Sequence, residues 1–160
     1  MFDFFKKKKV NAIIVKAPVE GEVVSIHEVS DPTFGEEILG KGIAIKPTGT
    51  RVVAPADGTI ETMFDTGHAF SMHTDDGTDI LVHIGLDTVS LKGQHFTVHA
   101  KSGQTVKAGD LLIEFDREAI KAAGFDVITP VVICNTPDYK EVRPVLGNVA
   151  ELDNIIELVK

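Results

Sequence analysis

Two histidines carry the chemistry this sequence can do. His83 lies in Ile80-Leu81-Val82-His83-Ile84-Gly85-Leu86-Asp87-Thr88-Val89, and His68 in Thr66-Gly67-His68-Ala69-Phe70-Ser71. His83 interrupts an otherwise apolar strand just where Gly85 lets the backbone come close. An imidazole there is partly desolvated and held by its surroundings, which suits a nucleophile. A satisfied core histidine has the same local signature, so each residue taken singly leaves both readings open. His95 and His99 are four apart, but Gln94-His95-Phe96-Thr97-Val98-His99 reads as extended, which makes them surface histidines rather than a helical metal pair. His73, five residues after His68, is a further ligand candidate. A metal-dependent hydrolase built on His68, His73 and His83 lacks a carboxylate base at motif spacing. Cys134, the one cysteine, ends the run Val131-Val132-Ile133-Cys134 and reads as a small packed hydrophobe. It allows neither an internal disulfide nor a four-cysteine zinc site, and it favours a reducing cytosol.

The elements that must position these histidines are short strands. Val23-Val24, Ile43-Ala44-Ile45, Val52-Val53, Ile80-Leu81-Val82, Leu111-Leu112-Ile113 and Val131-Val132-Ile133 are divided by turn pairs such as Glu20-Gly21, Asp57-Gly58, Asp76-Gly77 and Gly109-Asp110. This spacing predicts an all-β fold: an antiparallel β-sandwich or barrel-sandwich hybrid with at most one or two short helices. The best helical stretch is Arg117–Ala123, ended by Gly124. Ala17-Pro18-Val19-Glu20-Gly21-Glu22-Val23 and Ala54-Pro55-Ala56-Asp57-Gly58-Thr59-Ile60 repeat one pattern at an offset of 37 residues. Such an echo predicts two halves folded on each other. Gly103–Leu112 looks like the hairpin of lipoyl and biotinyl carrier domains, but no lysine stands in an equivalent turn.

A chain of 160 residues fits one domain and buries about 69% of its extended surface. With 43% hydrophobic and 25% charged residues it is a globular composition. A net charge of −8 argues against a nucleic-acid partner. Apolar runs of four residues are far short of the roughly 20 that a membrane-spanning helix needs. The start, MFDFFKKKK, sets aromatic rings beside four lysines, as a frayed tail or as a weak transient membrane contact. The expected organisation is a flexible leader over 1–12 and a single domain over 13–160. The Met1 start and this leader favour a free-standing, cytoplasmic protein.

The strings Thr66-Gly67-His68-Ala69-Phe70-Ser71 and Leu81-Val82-His83-Ile84-Gly85-Leu86-Asp87-Thr88-Val89 strongly resemble the glucose-type enzyme IIA component of the bacterial phosphoenolpyruvate-dependent sugar phosphotransferase system. The likeness continues through Ser30–Phe34, Gly40–Pro47, Val52–Gly58, Gly109–Asp116 and Thr129–Ile133, and so covers nearly everything from about residue 13 onward. It implies a monomeric phosphoryl carrier. On that implication HPr would hand a phosphoryl group to Nε2 of His83, which would pass it to a cysteine on the IIB domain of a membrane IICB permease. The resemblance further implies that a carbonyl near Gly85 fixes the His83 tautomer, that His68 donates to the phosphoryl oxygens, and that Thr66 orients His68.

For the docking face, the resemblance implies an apolar patch of Phe34, Ile38, Ile43, Phe64 and Phe70 rimmed by Asp31 and Asp87. No cofactor is required; zinc held by His68 and His83 with a partner carboxylate is the one metal site it allows. Two departures stand out. Pro32-Thr33 after Asp31 stiffens the partner-facing loop, and Gly67 leaves the turn before His68 looser. A regulatory role, in which the unphosphorylated face inhibits permeases or metabolic kinases, is the alternative function.

Overall fold

The structure is a computed structural model and describes residues 12–160; the expected leader over 1–12, except for its last residue, lies outside the described part. Fourteen strands appear among the described residues, every pair antiparallel. They are β1 (Ile13–Lys16), β2 (Gly21–Ser25), β3 (Lys41–Pro47), β4 (Arg51–Val53), β5 (Gly58–Met63), β6 (Ala69–Thr74) and β7 (Asp79–His83). Then come β8 (Phe96–Val98), β9 (Thr105–Val106), β10 (Leu111–Phe115), β11 (Thr129–Ile133), β12 (Glu141–Pro144), β13 (Gly147–Val149) and β14 (Asn154–Val159). The described α-helices are two short ones, α1 (Pro32–Gly35) and α2 (Arg117–Ala122), beside three single-turn 3-10 segments. The second matches the sequence expectation, and Gly124 beyond it takes φ +94°. Asp31 caps α1 by accepting from Thr33 N, with Pro32 at the first helical position. No described helix is long and apolar enough to cross a membrane.

An eight-stranded sheet runs β13-β2-β3-β11-β7-β6-β5-β9, and two three-stranded sheets, β1-β14-β12 and β4-β10-β8, complete the sandwich. The repeat noticed in sequence is a physical pseudo-twofold. Lys16 N donates to Pro55 O at 3.0 Å, and Val53 N returns the bond to Pro18 O at 2.8 Å. Each alanine that opens the repeat also pairs with an equivalent turn. Ala17 exchanges bonds with Asp153 and Leu152, and Ala54 with Asp110 and Gly109. Gly103–Leu112 is therefore not a hairpin of paired strands: β9 bonds to β5 in the large sheet, while β10 bonds to β4 and β8 in another.

Period-two alternation decides which side chains reach which layer. On β7, Ile80 and Val82 enter the main core, while Asp79, Leu81 and His83 face the other way. Pairing aligns Ala69 with His83 and Phe70 with Val82, and Val82 with Val131, which in turn faces Ile43. Phe70 and Ile43 therefore share the inward phase with Val82. Both are 0% exposed. This corrects their assignment to a docking face: their side chains fill the sandwich interior. A second, smaller cluster lies on the outer side of the same strands, where Val24, Ala44 and Val132 meet Ile26, Val29, Phe34, Leu86 and Ile128. It seats α1 and the loop after β7, and so supports the site. Cys134 falls one residue beyond β11 and is exposed, contrary to the expected packing.

Candidate functional site

His83 ends β7 on the outer face, and the chain then turns sharply. Gly85 takes φ +77° and Asp87 φ +60°. A Cβ at Gly85 would stand 2.7 Å from Thr88 Cγ2 and 2.8 Å from the Asp126 carbonyl, so only glycine fits this turn without strain. The turn brings the Gly85 carbonyl to 2.7 Å from Nδ1 of His83. The ring nitrogen donates, because a carbonyl can only accept. In the neutral imidazole Nε2 then carries the free lone pair.

His68 precedes β6, the strand beside β7. Its carbonyl accepts Ile84 N at 2.7 Å, and its Nδ1 hydrogen-bonds to the Thr66 hydroxyl. The rings of His68 and His83 lie 5.1 Å apart, edge to face at 78°. Phe34 sits against His83 and Phe64 against His68, each with centroids 5.1 Å apart, so the two imidazoles form the middle of a four-ring row. Burial lowers the pKa of His68 to about 4, helped by the nearby His83. His83 is also pushed below the usual histidine value by burial, against the opposing pull of the Gly85 carbonyl, Asp31 and Asp87. Both rings are therefore neutral near pH 7.

Asp31 and Asp87 thus flank His83 closely enough to act on its charge. Phe34 is buried against the ring, whereas Ile38 is 66% exposed and Phe64 40% exposed. Leu39 and Val89 are exposed apolar residues that the sequence reading passed over. Val89 sits two residues past Asp87 inside the histidine motif, which was the available signal. Gly67 is not loose. At φ +73° a Cβ would meet Phe96 Cβ and Val98 Cγ2 at 2.9 Å each, so β8 packs tightly against this turn.

His73 belongs elsewhere: it is exposed and its Nδ1 bonds Asp79 at 2.6 Å, which raises its pKa. His99 donates from Nε2 to Glu114 at the surface, 2.7 Å away. Among the described residues no cluster of three or more His, Cys, Asp or Glu is arranged to hold a metal. His68 and His83 offer two ring nitrogens, so a tetrahedral ion there would need further ligands from another molecule.

The antiparallel sandwich thus brings two neutral histidines side by side. The chain matches the family described as phosphoenolpyruvate-dependent sugar phosphotransferase system, EIIA 1, over residues 13–139, and it belongs to that family. It is 42% identical over 154 residues to a glucose-specific EIIA component of Buchnera aphidicola, covering 96% of this chain and 94% of that one. A beta-glucoside-specific EIIBCA component of Dickeya chrysanthemi is 49% identical over 129 residues. There the match covers 81% of this chain, which spans only 20% of that longer protein. The solved glucose permease IIA from Mycoplasma capricolum superposes with a TM-score of 0.84 at 36% identity, over 91% of this chain and 95% of that one.

Proposed function

We propose that this chain is a phosphoryl carrier that takes the group from the histidine of phospho-HPr onto Nε2 of His83. It then delivers the group to a IIB-domain cysteine during sugar uptake. The observation that carries this reading is the 2.7 Å contact from His83 Nδ1 to the Gly85 carbonyl, which leaves Nε2 as the lone-pair nitrogen. In loading, the Nε2 lone pair forms the new N–P bond as the donor's N–P bond breaks, and the donor nitrogen keeps that electron pair. The proton on Nδ1 stays put, and the Gly85 carbonyl stabilises the positive charge the ring acquires. In unloading, a cysteine thiolate forms the S–P bond and the electron pair returns to Nε2.

Thr66 donates its hydroxyl proton into Nδ1 of His68, so His68 presents Nε2–H to the phosphoryl oxygens. A neutral donor suits a carrier, since a fixed cation would over-stabilise the loaded state. Asp31 and Asp87 supply acidic charge to guide a basic partner, and Phe34, Ile38 and Phe64 supply apolar contact. The IIB and IIC parts carried by the EIIBCA relatives support a membrane permease as the acceptor. Incubation with enzyme I, HPr and labelled phosphoenolpyruvate tests the reading. An acid-labile label on His83, absent from His83→Ala, is expected; normal labelling of that variant overturns it.

A further inference from the structure

The hydroxyl of Thr88 is fully buried and donates to the Ile84 carbonyl at 2.6 Å. The amide of Ile84 is held in turn by the His68 carbonyl at 2.7 Å. The peptide plane that enters Gly85 is therefore pinned through its carbonyl. In the next plane, Leu86 N donates to the Asp126 carbonyl at 2.9 Å, while the Gly85 carbonyl on the opposite edge accepts from His83. A trans peptide is planar, with N–H and C=O pointing opposite ways, so holding one end aims the other. Between the two planes stand only the soft torsions of a glycine, which prefer no single setting. The pins on either side hold the carbonyl where His83 needs it. One pin is main chain, and the other is the Thr88 side chain.

We propose that Thr88 is a positioning residue for the transfer described above. By fixing the Ile84–Gly85 peptide it keeps the Gly85 carbonyl on His83 Nδ1, and so selects Nε2 as the reacting nitrogen. The inference rests on the phosphoryl-carrier reading for its consequence, but not for its geometry. A hydroxyl that only closed a turn would affect folding and leave the tautomer alone.

Thr88→Val keeps the size and the methyl against Gly85 but removes the donor; Thr88→Ser keeps the donor. The tautomer of His83 is read from long-range proton–nitrogen spectra of the unphosphorylated protein. Loading is read from single-turnover transfer from phospho-HPr, and folding from a melting curve. The parent and Thr88→Ser should show one tautomer protonated at Nδ1. Thr88→Val should show a mixture and load about tenfold more slowly, the weight of one well-placed hydrogen bond. A single Nδ1–H tautomer with parent loading in Thr88→Val overturns the proposal, as does a mixture in Thr88→Ser. If the valine variant does not fold, Thr88→Cys replaces the donor by a weak one. An intermediate mixture is then expected, and an unchanged tautomer overturns the proposal. Because the spectra need no phosphoryl donor, failure of the carrier reading would appear separately, as label placed away from His83 in the parent.

Discussion

The carbonyl of His68 accepts the amide of Ile84 at 2.7 Å, which ties one site histidine to the residue after the other. The rings that this bond holds in register lie 5.1 Å apart. On the proposed carrier reading, a phosphoryl group entering at His83 would meet His68 already in place, with Thr66 behind it, and little reorganisation would accompany transfer.

If His68 stabilises the transferring group, His68→Gln should slow transfer by up to ~10²-fold, about 2.7 kcal/mol by analogy with loss of one oxyanion donor. Glutamine keeps an amide donor, so delivery to the IIB cysteine should suffer more than loading from HPr. Melting should shift by no more than an aromatic contact is worth, about 1 kcal/mol. Single-turnover kinetics in both directions, beside a melting curve, measure this. Parent rates in both steps would remove His68 from the site.

Acid should destabilise the protein through the same pair. His68 and His83 are depressed below 6.5 in the folded state, so the unfolded chain binds more protons as pH falls through 6.5. Stability is therefore lost between about pH 6.5 and about 4, with His68 accounting for as much as about 3 kcal/mol. Exposed His73, raised by Asp79, has the opposite sign: its small stabilisation is present in acid and lost as pH rises. Urea denaturation across this range, compared with His68→Gln, isolates the His68 share. Parallel profiles for the two proteins would contradict the assignment.

Asp31→Asn and Asp87→Asn remove charge without disturbing the local backbone. Asparagine caps a helix as well as aspartate does, and it tolerates the left-handed φ of +60° at position 87. The double variant should associate more slowly with phospho-HPr and lose most of its salt dependence. An unchanged association rate at low salt would remove both residues from the rim.

The exposed and buried apolar residues should separate cleanly. Ile38→Ser and Val89→Ser should leave stability within about 0.5 kcal/mol while weakening HPr binding. Ile43→Ala and Phe70→Ala should instead cost about 2–5 and 3–5 kcal/mol of folding stability. Calorimetry with HPr and denaturant titration read the two effects, and destabilised Ile38→Ser with unchanged binding would reverse the roles.

Much of this was legible in the sequence because it is local. The turn residues of Ala17–Val23 and Ala54–Ile60 use the same chemistry twice, so the pseudo-twofold showed as a repeat. The carbonyl that meets His83 came from the family resemblance rather than from the spacing, and it lies only two residues along the chain, 2.7 Å from Nδ1. What was not legible depends on strand phase and distant packing. Phe70 is two residues from His68 in the chain, but His68 lies before β6 and outside its alternation; within β6 it is Ala69 that shares the phase of His83, and Phe70 points inward with Val82. Ile43 fails for the same reason on β3. Gly67 seemed loose because its constraint comes from Phe96 and Val98, far along the chain. Helix α1 is four residues long, too short for periodicity, although Asp31-Pro32 is its cap.

The central claim is that phosphorus bonds to Nε2 of His83. Nitrogen-15 spectra of the phosphorylated protein, with the ring nitrogens of His83 assigned, test it most directly. The account predicts phosphorus coupling at Nε2 with Nδ1 still protonated against the Gly85 carbonyl. Coupling at Nδ1, or a phosphoryl group on His68, would contradict it.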